Sequence, residues 1–144
     1  MIDQHYPYFE LKEKTHYIFA SVGVKGSVLK IVQFSSTGDN VWNLGFGDLN
    51  NGFIDDSIVT NNQDVRKVIQ TVAKIAMDFL VQYPNSTLEI KPVDEKRKRL
   101  YNGIFLKYLK DIEPLFNVLG TVEGKEETYS PLKFYDTFKI TFKS

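Results

Sequence analysis

Apolar residues recur every three or four positions between Val65 and Leu80, which is the period of an amphipathic α-helix. The pattern holds for about four turns. Its apolar positions are Val65, Val68, Ile69, Val72, Ile75, Ala76, Phe79 and Leu80. Thr60 and Gln63 fit a capping box, so we place the start of the helix beside Thr60 and its end before Pro84.

A second helix is predicted between Asp94, which can cap its start, and Pro114, which closes it. Its apolar positions are Leu100, Tyr101, Ile104, Phe105, Tyr108, Leu109 and Ile112. The helix opens with four consecutive cations, Lys96 to Arg99, which cannot share one face because a helix turns by about 100° per residue. We expect Arg97 at the N-terminal end of the buried stripe, and Lys96 and Arg99 together on one flank.

Six segments show the alternation or the apolar and aromatic enrichment that is typical of β-strands. They are Tyr17–Val22, Val28–Phe34, Val41–Phe46, Thr87–Lys91, Phe116–Val122 and Thr137–Phe142. A short extended piece is expected at Phe53–Val59, and a charged turn at Gly124–Glu127. The predicted order is β-β-β-(β)-α-β-α-β-β. This order favours a single α+β domain, in which a mostly antiparallel sheet carries both helices on one face.

Composition narrows the classes of function. The chain has 144 residues, no cysteine, and eighteen basic and eighteen acidic side chains, so its formal net charge is zero. Balanced charge argues against a surface that attracts nucleic acid everywhere, and the lack of cysteine excludes a thiol nucleophile. The first residues do not resemble a signal peptide, and no apolar run reaches the roughly 20 residues of a membrane span. We therefore expect a cytoplasmic protein without a membrane partner.

The cations at the start of the second helix are the first candidate site. Arg97 and Arg99 could hold a phosphate or a carboxylate in bidentate fashion, aided by the positive end of the helix dipole. The alternative is structural: Arg97 lies along the core and pairs with an internal acid such as Asp94, Asp55 or Asp56. The sequence leaves both interpretations open.

A second candidate site consists of acidic and amide side chains. Its members are Asn43, Asp48, Asp55, Asp56, Asn61, Asn62 and Asp64. Oxygen ligands of this kind suit Mg²⁺, yet their spacing matches no established ligand loop, and Asp and Asn are also the usual residues of turns and caps. The two histidines stand outside any catalytic or metal motif. We expect no resident metal or cofactor.

Short motifs are spread over nearly the full length of the chain. They are Trp42–Asp48, Ile54–Asp56, Thr60–Asn62 with Asp64, Lys67-Val68, Thr71-Val72, and Arg97 and Arg99 followed by Leu100-Tyr101. In these motifs the chain resembles a family of small Bacteroidetes proteins that is catalogued as a domain of unknown function. It departs from that family at Pro92–Lys96, where the family has a loop of smaller residues. The resemblance implies membership of the family and no particular activity.

Three hypotheses about function follow. The first is an interaction module that binds a protein or a nucleic acid through the open sheet face and the Arg97/Arg99 corner. The second is a metal-dependent enzyme acting on phosphorylated substrates, such as a small nuclease or the toxin of a toxin–antitoxin pair. In that enzyme Asp48, Asp55 and Asp56 would hold a divalent ion, and Arg97 and Arg99 would stabilise transition-state charge. Acyl transfer ranks last, because the glycine-rich turn that it requires is absent before the first helix. Oligomeric state is left open.

Overall fold

The computed structural model describes residues 4–12, 15–50, 53–55 and 63–143. Within these ranges it contains two helices, α1 (Val65–Gln82) and α2 (Glu95–Ile112). The strands are β1 (Tyr8–Lys12), β2 (His16–Gly23), β3 (Gly26–Gly38), β4 (Val41–Asn50), β5 (Phe53–Asp55), β6 (Thr87–Ile90), β7 (Phe116–Val122), β8 (Lys125–Thr128) and β9 (Thr137–Phe142). The predicted α+β class is confirmed.

The strands belong to one sheet with the order β1-β2-β3-β4-β6-β9-β7-β8, and β5 pairs with the end of β4. Every described pair is antiparallel except β4–β6, which is parallel. The prediction of a mostly antiparallel sheet is therefore confirmed.

Both helices pack on the same face of this sheet. Phe79 of α1 is fully buried, and its ring centroid lies 4.0 Å from that of Phe34 on β3. Phe105 of α2 stacks on Phe138 of β9 with a centroid distance of 4.2 Å. Since neighbouring side chains of a strand alternate between faces, the inward positions of all central strands form one core. The two predicted apolar stripes are thus the surfaces that fix the helices to the sheet, except at Leu100, which was predicted to be part of the second stripe and is exposed.

The sequence prediction missed β1 and β8, which are the two edges of the sheet. The predicted charged turn at Gly124–Glu127 is wrong for most of its length, because Lys125–Thr128 form β8 against β7. An edge strand pairs on one side only and commonly carries charged residues, which weakens its apolar signal. The strand order therefore begins one strand earlier than predicted and has one further strand before β9.

The predicted capping box is also wrong. α1 begins at Val65, and Gln63 has a φ of 60°, so Gln63 lies outside the helix. Thr60 lies outside the described residues. At α2 the prediction holds, because the Asp94 side chain accepts a hydrogen bond of 2.7 Å from the backbone N–H of Arg97.

A buried clamp fixes α2 to the loop between β8 and β9, which packs on β7. The Asn102 amide donates to the carbonyl of Tyr135 and accepts from its backbone N–H, both at 2.8 Å. The Tyr135 ring is fully buried against Gly120, where an added Cβ would lie 2.4 Å from the ring. Because an unpaired buried amide is costly, this two-way bond holds α2 in one position. The outer face of α2 is therefore a fixed surface.

Candidate functional site

Arg97 is buried, as its place on the apolar stripe predicts. Its side chain is 4% exposed, and its Nη1 lies 3.7 Å from Oδ2 of Asp94, whose side chain is 50% exposed. The Nη2 atom is buried and has no hydrogen-bond partner among the residues that the structure describes. Asp94 already caps α2 with its other oxygen. This arrangement favours the structural interpretation of Arg97, because the Asp94 carboxylate both caps α2 and pairs with the guanidinium.

Arg99 and Lys96 differ from Arg97 because both are exposed to solvent. Lys98, the fourth cation of the run, is half-buried and pairs with Asp136 at 2.5 Å. The hydrogen bond to Asp136 raises the pKa of Lys98, and the same bond lowers the pKa of Asp136. The four consecutive cations therefore separate into one buried, one paired and two outward-facing side chains.

The exposed cations continue along α2 beyond this run. The exposed residues of α2 are Glu95, Lys96, Arg99, Leu100, Gly103, Leu106, Lys107 and Lys110. We call the four cations Lys96, Arg99, Lys107 and Lys110 the cationic face. In a regular helix they fall within an arc of about 80° and a length of about 21 Å. The helix is irregular at Tyr108, where φ is −109° and ψ is 18°.

None of the cationic face forms an ion pair with a residue in the described part of the chain. Six lysines elsewhere do pair with an acid, and they are Lys30, Lys74, Lys91, Lys98, Lys133 and Lys139. Lys67, Lys125 and Lys143 form no ion pair with a described acid either, but they lie apart from one another in the sequence. The grouping of four such cations on one helix therefore leaves a local excess of positive charge on the outer side of α2. Lys96 also lies near the positive end of the helix dipole, where a cation is slightly unfavourable.

An open cleft extends this surface towards α1. It has a volume of about 570 Å³, and its lining includes Arg66, Lys67 and Lys107. Arg66 at the start of α1 pairs with Asp111 at the end of α2 at 3.3 Å. This contact places the N-terminal end of α1 beside the C-terminal end of α2. The acid Asp64 also lines the cleft.

The structure does not bring all the predicted acidic and amide ligands together. Strand alternation places Asn43 and Asp48 of β4 on opposite faces of the sheet. Asp48 is buried on the helix side and pairs with buried Lys30 at 2.5 Å. Asp55 is the cross-strand partner of Asp48 on β5, and its side chain lies outside the description. Asp56, Asn61 and Asn62 lie outside the described residues.

Asp64, another member of that predicted group, anchors the chain near its N-terminus. Its Oδ2 accepts hydrogen bonds of 2.5 Å from the hydroxyls of Tyr6 and Ser21. Tyr6 also donates its backbone N–H to Thr71 of α1 at 2.8 Å. Burial, followed by the hydrogen bond to Asp64, raises the pKa of the Tyr6 phenol. These bonds tie the segment before β1 to β2 and to α1, which is a structural role.

Of the four residues of the cationic face, Arg99 is a ligand-binding candidate of the sequence analysis, whereas Lys107 and Lys110 are not among its candidates. The signal was present: Lys107 and Lys110 follow Lys96 and Arg99 by eleven residues, which is about three helical turns. The run of four consecutive cations at the start of the helix obscures this longer period. Projecting every charged position of the second helix onto one wheel would have shown the face.

The described ranges contain neither a cluster of metal ligands nor a membrane-spanning helix. No cluster there of three or more His, Cys, Asp or Glu side chains could hold a metal ion. No helix in those ranges is both long enough and apolar enough to cross a bilayer.

Comparison with known proteins identifies the family. No curated protein and no solved structure matches the chain. A family model described as "Family of unknown function (DUF6934)" matches residues 3–143 of the 144. The match confirms the predicted resemblance to a domain of unknown function. The chain therefore belongs to the family of unknown function DUF6934.

Proposed function

We propose that this protein is an interaction module that binds an anionic macromolecular partner through the cationic face of α2. One observation carries the proposal: four exposed cations share one side of a helix, and none has an acidic partner among the described residues. Electrostatic complementarity of this kind speeds the encounter of two molecules and selects between partners.

The fixed position of α2 supports the proposal. The Asn102–Tyr135 clamp holds the helix against the loop between β8 and β9, so the outer side chains of α2 are presented without prior ordering of the backbone. A surface that is already in its binding conformation loses less conformational entropy on binding. Binding sites built on rigid elements are also the more precise ones.

The metal-dependent enzyme has less support. Asp48, the described acid of that hypothesis, is neutralised by Lys30 at 2.5 Å. Arg97, the cation expected to stabilise transition-state charge, is buried beside Asp94. The cationic face itself consists of three lysines and one arginine, so it supplies no carboxylate ligand for a metal ion.

The proposal is tested by reversing the charge of the face. The test variant carries Lys96→Glu, Arg99→Glu, Lys107→Glu and Lys110→Glu. A matched control carries Lys25→Glu, Lys91→Glu, Lys125→Glu and Lys143→Glu, four exposed lysines outside the face, and changes the net charge equally. The probes are a labelled RNA, a labelled DNA duplex and peptides enriched on the wild type from a random display library, all measured by fluorescence anisotropy.

We expect at least one probe to bind the wild type, with an affinity that falls as salt is added. The face variant should bind that probe about 100-fold more weakly, since four contacts of 0.5–1 kcal/mol each are lost. The control variant should keep its affinity within about twofold. Failure of every probe to bind the wild type, or equal losses in both variants, would contradict the proposal.

A further inference from the structure

Gly103 occupies the middle of the exposed side of α2, and nothing within the described chain requires a glycine there. Glycine is the poorest helix former after proline. An added Cβ at Gly103 would meet no atom within 4 Å. Gly120 shows the contrast, because a Cβ there would clash with the Tyr135 ring at 2.4 Å. The missing side chain at Gly103 therefore leaves free space on the outside of the protein.

Two leucines border this free space. Leu100 and Leu106 lie three residues before and three residues after Gly103, and they are 36% and 56% exposed. Successive positions three apart are separated by about 60° around a helix, so the three residues form a shallow apolar notch. In a regular helix, Lys96 and Arg99 lie on the N-terminal side of the line through these three residues, and Lys107 and Lys110 lie on its C-terminal side. The exposed side of α2 around Gly103 is therefore a shallow apolar notch with cations on both sides.

Resting on the proposed function, we propose that the partner is a protein, and that it contributes an acidic amphipathic helix that crosses α2 at Gly103. An apolar side chain of that helix fills the notch between Leu100 and Leu106. Its Asp and Glu side chains pair with the cationic face. Because Gly103 has no side chain, the two helix axes can approach at the short end of the usual 8–10 Å range.

The leucines favour a protein partner over a nucleic acid. A phosphate backbone gains from the cations but offers little apolar surface for Leu100 and Leu106 to bury. Protein interfaces combine a desolvated apolar centre with a polar or charged rim, which is the arrangement around Gly103. Because the rim on α2 is positive, the facing rim of the partner must carry negative charge.

The test separates stability from binding at one position. Gly103→Ala should raise the melting temperature by about 3 °C, because alanine is the better helix former and meets no clash within the chain. The same variant should bind the enriched acidic peptide about tenfold more weakly, and Gly103→Gln about 100-fold more weakly. Gly38→Ala is the matched control, since a Cβ there also meets no atom within 4 Å.

The peptides enriched by the wild type should share acidic residues and apolar residues at helical spacing. The inference would be overturned if the Gly103→Ala variant were more stable than the wild type and its affinity for the peptide stayed within about twofold. Binding of RNA or DNA alone, without peptide enrichment, would overturn it too and leave the proposed function intact. Unchanged binding by the charge-reversed face variant would instead contradict the proposed function.

Discussion

Replacing Lys30 by methionine is expected to lower the free energy of unfolding by about 3–5 kcal/mol, the usual effect of breaking a buried ion pair on one side. Lys30 is 2% exposed and Asp48 7% exposed, and their charged atoms are 2.5 Å apart. Removing the ammonium group takes the Lys30 contact away from an Asp48 carboxylate that stays buried. Urea denaturation followed by circular dichroism measures the change as a lower midpoint at an unchanged slope.

Two further variants show that the loss comes from burial of the pair. Lys30→Met combined with Asp48→Leu should recover most of the lost stability, because apolar replacement of both partners is often neutral. Lys74→Met, which breaks a partly exposed pair with Asp78, should cost less than about 1 kcal/mol. A loss below about 1 kcal/mol for Lys30→Met would show that the Lys30–Asp48 pair is not buried as described.

Phe79→Ala is the second large effect, with an expected loss of about 3–5 kcal/mol. The Phe79 ring is fully buried between the sheet and the end of α1. Its centroid lies 4.0 Å from Phe34, 5.1 Å from Trp42 and 4.9 Å from Tyr83. The substitution removes these contacts and leaves a cavity that fixed strands cannot close.

Val81→Ala on the same helix is the control for Phe79→Ala. Val81 is 58% exposed, so its truncation should change the free energy of unfolding by no more than about 0.5 kcal/mol. Similar losses for the two variants in urea denaturation would show that the predicted face of α1 is not the one that packs on the sheet.

The fold was largely predictable because the periodic spacing of apolar residues extends over whole helices and central strands. α1 and α2 each repeat an apolar stripe over several turns, and such stripes have one way to bury themselves on a sheet. The edge strands β1 and β8 were missed because pairing on one side, with charged residues, gives only a weak local pattern. The start of α1 was misplaced because Thr60 and Gln63 satisfy a local capping pattern that the backbone at Gln63 does not adopt.

The candidate site was predictable only in part. The burial of Arg97 follows from its place on the apolar stripe, and the structure agrees. Lys30 could also have been placed on the inward face, since it shares that face of β3 with the apolar residues Val32 and Phe34. Its pairing with Asp48 could not, because that contact joins residues of two different strands. Grouping Asn43 with Asp48 ignored that strand alternation separates them. Composition cannot show such cross-strand relations, because they depend on register.

The most direct measurement of the binding surface is the acetylation rate of each lysine, read by mass spectrometry with and without the bound probe. We expect protection at Lys96, Lys107 and Lys110, and unchanged rates at Lys25 and Lys125, which are exposed outside the cationic face. Equal protection of all these lysines, or protection confined to lysines outside α2, would contradict the assignment of the cationic face as the binding surface.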